Sequence, residues 1–302
     1  SDMPFSSSGV GIQTRLFIES LLATGEYEVV SIGGSTHHKD YTPFITEKYK
    51  EDWKIFPVKG FGSKEMVRSL IATQKPDALW LMTDPRFFQW LWEMDNEIRS
   101  SLPIVYYHVW DNYPYPKYNI PGYRSNDAIV CISKLTHDIV STIVPDVKNY
   151  YLPHVVDTDV FKPMSKSRVY AFLEHNNIDP SSKKIFFWNN RNARRKQSGT
   201  LLFWWKEFCD RVGHDKAVLL MHTDIRDPHG QPLDVLAEHL GINNGQVIFS
   251  NRKVPAPHLA AMGFVTHCLS LINVLAFLPY RKILSQLQAV QFSSMARTWE
   301  HQ

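Results

Sequence analysis

Along most of this chain, short apolar runs with strand character alternate with segments whose apolar residues recur at helical spacing. That alternation is what layered α/β folds built on parallel sheets require, because each parallel strand needs a crossover helix before the next. Strands are expected at residues 27–32, 53–58, 78–82, 104–109, 128–132 and 149–152, with helices at 12–23, 63–73, 85–94 and 134–143 between them. A second series follows Pro163: helix 167–175, strand 184–188, helix 200–212, strand 217–222, helix 233–240, strand 246–250 and helix 257–262. Two Rossmann-like domains result. Their boundary is expected between Pro153 and Pro163, where two prolines bracket a short mixed segment and prevent any element from running through. The domains are therefore placed at 1–155 and 164–302.

A length of 302 residues, of which 44% are hydrophobic and 13% aromatic, suffices for two buried cores. The formal net charge of +3 is too small for a dedicated nucleic-acid binder, whose surface carries a strong basic stripe. Cys131, Cys209 and Cys268 lie far apart in apolar settings, which suggests neither a disulfide framework nor a zinc site. Their spacing fits a reducing compartment. The longest apolar run, residues 268–278, is too short to cross a bilayer, and no secretory leader opens the sequence, so a cytoplasmic protein is expected, with membrane contact at most peripheral.

The basicity is local. Residues 184–200 read KIFFWNNRNARRKQSGT: a strand, a polar turn, then a helix. Between Ser181 and Thr200 there are six cations (Lys183, Lys184, Arg191, Arg194, Arg195 and Lys196) and no Asp or Glu, so the cluster has no local counter-charge. A turn of this kind at the carboxyl end of a parallel strand, opening into a helix N-terminus with free N–H groups, suits a phosphate or diphosphate. Its alternative is a solvated surface turn.

The opening residues SDMPFSSSGVGIQTRLFIESLL form a serine- and glycine-rich loop that runs directly into an amphipathic helix. Such a loop normally follows a first strand, and none precedes Ser1, so the first domain is expected to lack that strand. Read as a dinucleotide fingerprint, Gly9 and Gly11 fail at the third glycine position, where Thr14 stands.

The loop SSSGVGIQTRLFIESL, the segment YYHVWDNYPYPKYNIPGYRSNDAIVCISKLTHDIV, the hinge YLPHVVDTDVFKP and the turn NNRNARRK occur together in this order. As a set they resemble the GT-B glycosyltransferases of the retaining, family-4 type (glycosyl transferases group 1). The resemblance covers residues 1–262. It implies two facing Rossmann-like domains, with a nucleotide diphosphate sugar held by the second, a carbohydrate or lipid-linked acceptor held by the first, and the active site in the cleft between them. Hexose transfer with retention of configuration, no metal and no cofactor beyond the donor substrate follow from the same likeness. Matched residue by residue, Arg191 and Lys196 correspond to the pair that grips the donor diphosphate, with Arg195 beside them. Two fixed cations would stabilise the charge that develops on a nucleoside diphosphate as it departs. Gly9 and Gly11 match a loop whose backbone approaches donor phosphates and acceptor. His108 matches a histidine close to the transferred sugar, and Asp111 and Asn112 are placed at the acceptor.

Asp157-Thr158-Asp159 imitates a metal-binding DxD pair but sits inside the hinge, and adjacent His37 and His38 beside Asp40 have the wrong spacing for a closed metal site. After Met262 the likeness stops. Beyond Gly263 the tail has no glycine and no aspartate, and its only glutamate is Glu300. The family's donor-holding carboxylates have no counterpart there, so the second domain is expected to be incomplete, and exposed apolar faces could drive oligomer formation. A rival reading follows: a GT-B homologue with impaired catalysis that serves as a binding or assembly protein. A nicotinamide-dependent dehydrogenase is disfavoured by the broken glycine pattern.

Overall fold

The computed structural model describes residues 1–110, 112, 114–175, 183–264, 267 and 268. The chain divides into two compact units, Ser1–Val156 and Asp157–Gln302.

In the first unit, helix α1 (Gly9–Leu22) starts at Ser8, whose extended backbone and side-chain oxygen cap the Gly11 amide at 2.9 Å. Strand β1 (Val29–Gly33) pairs in parallel with β3 (Lys50–Pro57), and β2 (Phe44–Thr46) pairs with β3 in antiparallel fashion on its other side. Helix α2 (Lys64–Gln74) leads into β4 (Leu79–Thr83). A 3-10 turn at Pro85–Phe87 and two short helices, α3 (Gln89–Trp92) and α4 (Asp95–Arg99), precede β5 (Ile104–His108). Helix α5 (Ile120–Arg124), β6 (Ala128–Cys131), α6 (Lys134–Ile143) and β7 (Lys148–Tyr151) complete the unit. Strands β4, β5, β6 and β7 form one all-parallel sheet in that order. Its core is built by Leu81, Ile104, Tyr106, Ile129 and Val140 under Phe88, Trp92 and Ile98.

Three expectations are corrected here. The single helix expected at 85–94 is broken, because Phe88 (φ −114°) and Met94 (φ −120°, ψ 21°) leave the helical region. The strand β2 was hidden by two consecutive exposed apolar residues, Phe44 and Ile45, which show no alternation. The first residues are also less bare than expected: Asp2 forms a parallel bridge with Gly34, supported by Met3 N–H to the Gly34 carbonyl at 2.8 Å and Gly34 N–H to the Ser1 carbonyl at 3.0 Å.

Residues 152–155 are tied to the first unit. Tyr107 donates from its hydroxyl to the Leu152 carbonyl at 2.8 Å, and the Gln13 amide brackets the backbone of Val155, donating to its carbonyl at 2.8 Å and accepting from its N–H at 3.0 Å. The division after Val156 follows from these attachments.

In the second unit α7 (Lys166–His175) precedes β8 (Lys184–Asn189), which leads through the basic turn into α8 (Ser198–Val212). Then come β9 (Ala217–His222), α9 (Leu233–His239), β10 (Val247–Ser250), α10 (Ala256–Phe264) and β11 (His267–Cys268). All four strands are parallel, in the order β10-β9-β8-β11. Strand β9 is buried along nearly its whole length, as a central parallel strand covered on both faces should be. One face packs Leu202, Trp205 and Leu219, the other Leu173, Val218 and Leu220.

Candidate functional site

The basic turn lies at the carboxyl end of β8, where open parallel sheets bind ligands. Residues Arg194–Lys196 form one 3-10 turn, Gln197 takes left-handed backbone (φ 55°), and α8 begins at Ser198 with no side chain capping it and no acid in its first turn. The partial positive charge of the first N–H groups is therefore uncompensated within the helix. Arg194 and Arg195 are exposed and make no ion pair with the described residues.

Arg191 behaves differently, and here the expectation of a cluster without counter-charge is corrected. Asp227, brought in from the loop after β9, accepts from Arg191 Nε at 2.6 Å and from Nη2 at 3.2 Å. The guanidinium holds the Asp227 carboxyl well below the usual carboxylate range, helped by the His229 N–H at 2.9 Å, and the Arg191 guanidinium is pushed higher in turn. Arg191 Nη2 also lies 2.9 Å from His229 Nδ1. Since a guanidinium can only donate, Nδ1 accepts there and the imidazole proton sits on Nε2; the 3.2 Å approach of Nδ1 to Asp227 is then a contact and not a second hydrogen bond.

The turn is fastened to the β9 loop by a residue that the sequence did not single out. Asn192 is fully buried; its Nδ2 donates to the Gln231 carbonyl at 2.7 Å and its Oδ1 accepts from the Ser198 hydroxyl. Arg194 N–H donates to the His229 carbonyl at 3.0 Å. Gly230 is required by closeness: a Cβ there would stand 2.0 Å from the Asn192 carbonyl oxygen. The Asp227-Pro228-His229-Gly230 string was the available signal, a turn sequence carrying a carboxylate at the end of a strand. Nearby, at the carboxyl end of β9, His222 Nδ1 lies 2.9 Å from the Ser250 hydroxyl, and the buried Thr223 hydroxyl has no partner among the described residues.

In the first unit, Gly11 is buried against Ser6 and the Met3 carbonyl, and its N–H is taken by Ser8 Oγ, which donates onward to Asp2 Oδ2 at 2.6 Å. That amide is not available to a phosphate. Gly9, two residues earlier at the start of α1, is exposed and has nothing within 4 Å of a Cβ position.

His108 is a larger correction. It has no exposed surface and both ring nitrogens are bonded to tyrosine hydroxyls, Nδ1 to Tyr106 at 3.0 Å and Nε2 to Tyr123 at 2.7 Å. Tyr106 donates to the Thr83 carbonyl at 2.8 Å, so it accepts from Nδ1–H; Nε2 then accepts from Tyr123, whose oxygen accepts from Asn119 Nδ2 at 3.3 Å. One directional chain results, Asn119 to Tyr123 to His108 to Tyr106 to Thr83. Burial pushes the His108 imidazole down to about 3, and burial pushes the Tyr123 phenol up as well. A histidine so enclosed holds the ends of β4 and β5 together; contact with a sugar, as the resemblance implied, is not what it makes. Asn112 is exposed and its carbonyl accepts from Trp110 Nε1 at 2.8 Å, while Asp111 lies outside the described residues.

The other polar strings are accounted for locally. Asp157 Oδ1 caps its own turn, accepting from Asp159 N–H at 2.9 Å, and Asp40 does the same for Thr42 at 2.8 Å. His38 Nε2 bonds the Gly33 carbonyl at 2.9 Å. The tail beyond Cys268, with its missing carboxylates, lies outside the described residues.

No protein-family model matches the chain, and no curated protein matches it in sequence. Solved structures do match in shape. The trehalose-6-phosphate synthase of E. coli bound with UDP-2-fluoro glucose superposes with a TM-score of 0.61 at 11% identity, covering 88% of this chain and 75% of that one. The Anabaena protein HepE, in complex with UDP and glucose, gives 0.59 at 12% identity over 85% and 70%. A glycosyltransferase from Rickettsia africae ESF-5 gives 0.59 at 15% identity over 85% and 68%. The chain has the GT-B glycosyltransferase fold. Identities this low carry architecture and no more. Within the GT-B frame, the structure places Arg191, Arg195 and Lys196 in one turn of the second unit, and Gly9, Gly11, His108 and Asn112 in the first.

Proposed function

We propose that this GT-B protein transfers a hexose from a nucleotide diphosphate sugar to a carbohydrate or lipid-linked acceptor, with retention of configuration and without a metal. The carrying observation is the turn Arg194–Lys196 at the carboxyl end of β8, opening into the uncapped N-terminus of α8. Free backbone N–H groups and basic side chains share this turn, and a diphosphate needs both. Neighbours of the same fold are solved with UDP and glucose or with a fluorinated UDP-glucose, which supports the class of donor. In this reading Arg195 and Lys196 grip the diphosphate, Arg191 fixes the shape of the turn through Asp227, and Asn112 with Asp111 borders the acceptor.

One observation favours the rival, a nucleotide-binding or assembly protein without turnover: the expected clamp arginine, Arg191, is already neutralised by Asp227. Calorimetric titration with UDP, GDP and NAD, followed by assays with UDP-glucose and GDP-mannose, separates the readings. Binding of a nucleoside diphosphate with sugar release supports transfer; binding without release supports the rival; preference for NAD defeats both. Arg195→Ala is expected to weaken nucleoside diphosphate binding about tenfold or more, the worth of one charge-assisted contact.

A further inference from the structure

Outside the turn of the second unit, the first unit carries an exposed cluster of rings and charge at the carboxyl ends of β4 and β5. Strand β4 ends at Thr83, a buried β-branched residue with φ 149°, a conformation that costs energy and is held by neighbours. The neighbour is the relay: Tyr106, fixed by His108, anchors the Thr83 carbonyl. The twist aims Asp84 outward, where it accepts from Arg86 Nε at 2.8 Å and Nη2 at 3.0 Å and caps the 3-10 turn through Arg86 N–H at 2.9 Å. Arg86 lies over the Phe87 ring at 5.8 Å. Phe87, 40% exposed, stacks on Phe61 with centroids 4.3 Å apart, and Phe61 is presented by a loop whose flanking Gly60 and Gly62 both have positive φ. Tyr118, 71% exposed, meets Trp110 edge-on at 6.1 Å and is near enough to Arg86 to act on its charge.

Two exposed rings, Phe87 and Tyr118, with the partly buried Phe61 stacked on Phe87 and a planar, polar pair beside them, suit a ligand with both an apolar face and ring hydroxyls. The axial C–H groups of a pyranose meet the negative face of an aromatic ring, and its equatorial hydroxyls can bond a carboxylate and a guanidinium together. The charge argues which pyranose. Arg86 is matched by Asp84 in bidentate geometry, so the guanidinium of the cluster is already neutralised, unlike Arg194 and Arg195 in the second unit; the cations next to it in sequence are the exposed Lys59 and Lys117. An anionic sugar would find no free guanidinium to grip it in bidentate fashion, only lysine ammonium groups, which are strongly hydrated point charges on flexible stems.

We infer that Phe61, Phe87, Tyr118 and the Asp84–Arg86 pair form the acceptor platform, and that the acceptor end it takes is a neutral pyranose and not a sugar phosphate. This rests on the glycosyltransferase reading and narrows its acceptor. Saturation-transfer NMR on the full chain, with methyl α-glucopyranoside, methyl α-mannopyranoside and glucose 6-phosphate as probes, tests it directly. Ring C–H protons of at least one methyl pyranoside should receive saturation, and Phe87→Ala and Tyr118→Ala should each weaken its binding about tenfold, whereas Phe87→Trp should retain it. Both rings are exposed, so the variants should fold, which a circular dichroism spectrum checks. UDP is titrated into the same samples. UDP binding with no pyranoside binding, or with pyranoside binding untouched in both alanine variants, overturns the platform alone; glucose 6-phosphate preferred by about tenfold or more overturns the neutral acceptor. Absence of UDP binding by the unaltered chain would instead remove the donor reading on which it stands.

Discussion

Arg191 and Arg195 are four residues apart in one turn, yet their surroundings assign them different work. Arg191 is bound to a carboxylate that is only 8% exposed, so removing it strands a charge. Because Arg191 itself is largely solvated, the cost should be modest, about 1 kcal/mol after screening. Arg191→Ala is therefore expected to lower stability slightly at neutral pH and to reduce the acid sensitivity of the second unit, because Asp227 loses the partner that holds its carboxyl low and less stability is left to lose on acidification, while Arg195→Ala leaves stability alone and weakens UDP binding. Urea unfolding beside calorimetric titration of both variants measures this, and equal affinity losses with no loss of stability would show that Arg191 is a ligand after all. The sequence could show the cations but not this division, since Asp227 stands thirty-six positions away and nothing in the turn announces it. His108 makes the same point. A histidine at a strand end reads as a site residue until Tyr123 and Tyr106 are seen to close on both nitrogens. Its folded imidazole titrates near 3 and its unfolded one near 6.5, so the unfolded state binds the extra proton between those values and stability falls as pH drops through that window. In His108→Gln that share of the acid sensitivity should vanish, at a cost of about 2–4 kcal/mol at pH 7 from unpaired tyrosine hydroxyls and altered packing. Denaturant midpoints at pH 7, 5 and 4 for both proteins give the comparison; parallel pH dependence would contradict a neutral buried imidazole.

Among elements, what could be foreseen was set by periodicity. Strands β1 and β3 to β10, apart from some end residues, fall where apolar runs were expected, because a parallel strand covered on both faces carries its own signature in Ile104, Ile129 or Leu219. Elements whose cause is tertiary did not show: β2 exists because β3 offers it an edge, and the break at Phe88 exists because Phe88 packs against Tyr106 and Trp92. The pairing of the β8 and β9 loops is of this second kind. Hydrogen bonds from Asn192, Arg191 and Arg194 and the close approach of Gly230 make the basic turn part of a two-loop assembly. Gly230→Ala should strike it hardest, since a methyl group placed 2.0 Å from a backbone oxygen can be relieved only by moving one loop. A loss of about 2–3 kcal/mol is expected, together with weaker UDP binding although no ligand contact is altered. Thermal unfolding and titration of that variant decide it; unchanged UDP affinity at reduced stability would show that the turn holds its shape without the second loop.

At the scale of the molecule, each unit encloses its own apolar clusters, one set around Tyr106 and Ile129, the other around Leu219 and Leu220. Separate cores allow separate opening equilibria, so a ligand reports its own unit. A nucleoside diphosphate held at the β8–α8 turn stabilises only states in which β8, β9 and the two loops are assembled. At a UDP concentration about a hundred times its dissociation constant, that linkage amounts to about 2.7 kcal/mol, or roughly hundredfold slower exchange for amides released only when the second unit opens. Hydrogen exchange followed by mass spectrometry should therefore show UDP protecting residues 189–200 and 222–231 most, because the turn and the loop bonded to it are the contacts that ligand would consolidate. Methyl pyranoside, acting at Phe87 and Tyr118, should protect residues 83–88 and 115–123 in the first unit. The two patterns are independent statements about where anionic and neutral sugar chemistry reside. If UDP instead slows exchange around the Ser8 cap of α1 and leaves the basic turn untouched, the donor has been assigned to the wrong helix N-terminus, and Arg194 and Arg195 are solvated charges on a surface turn.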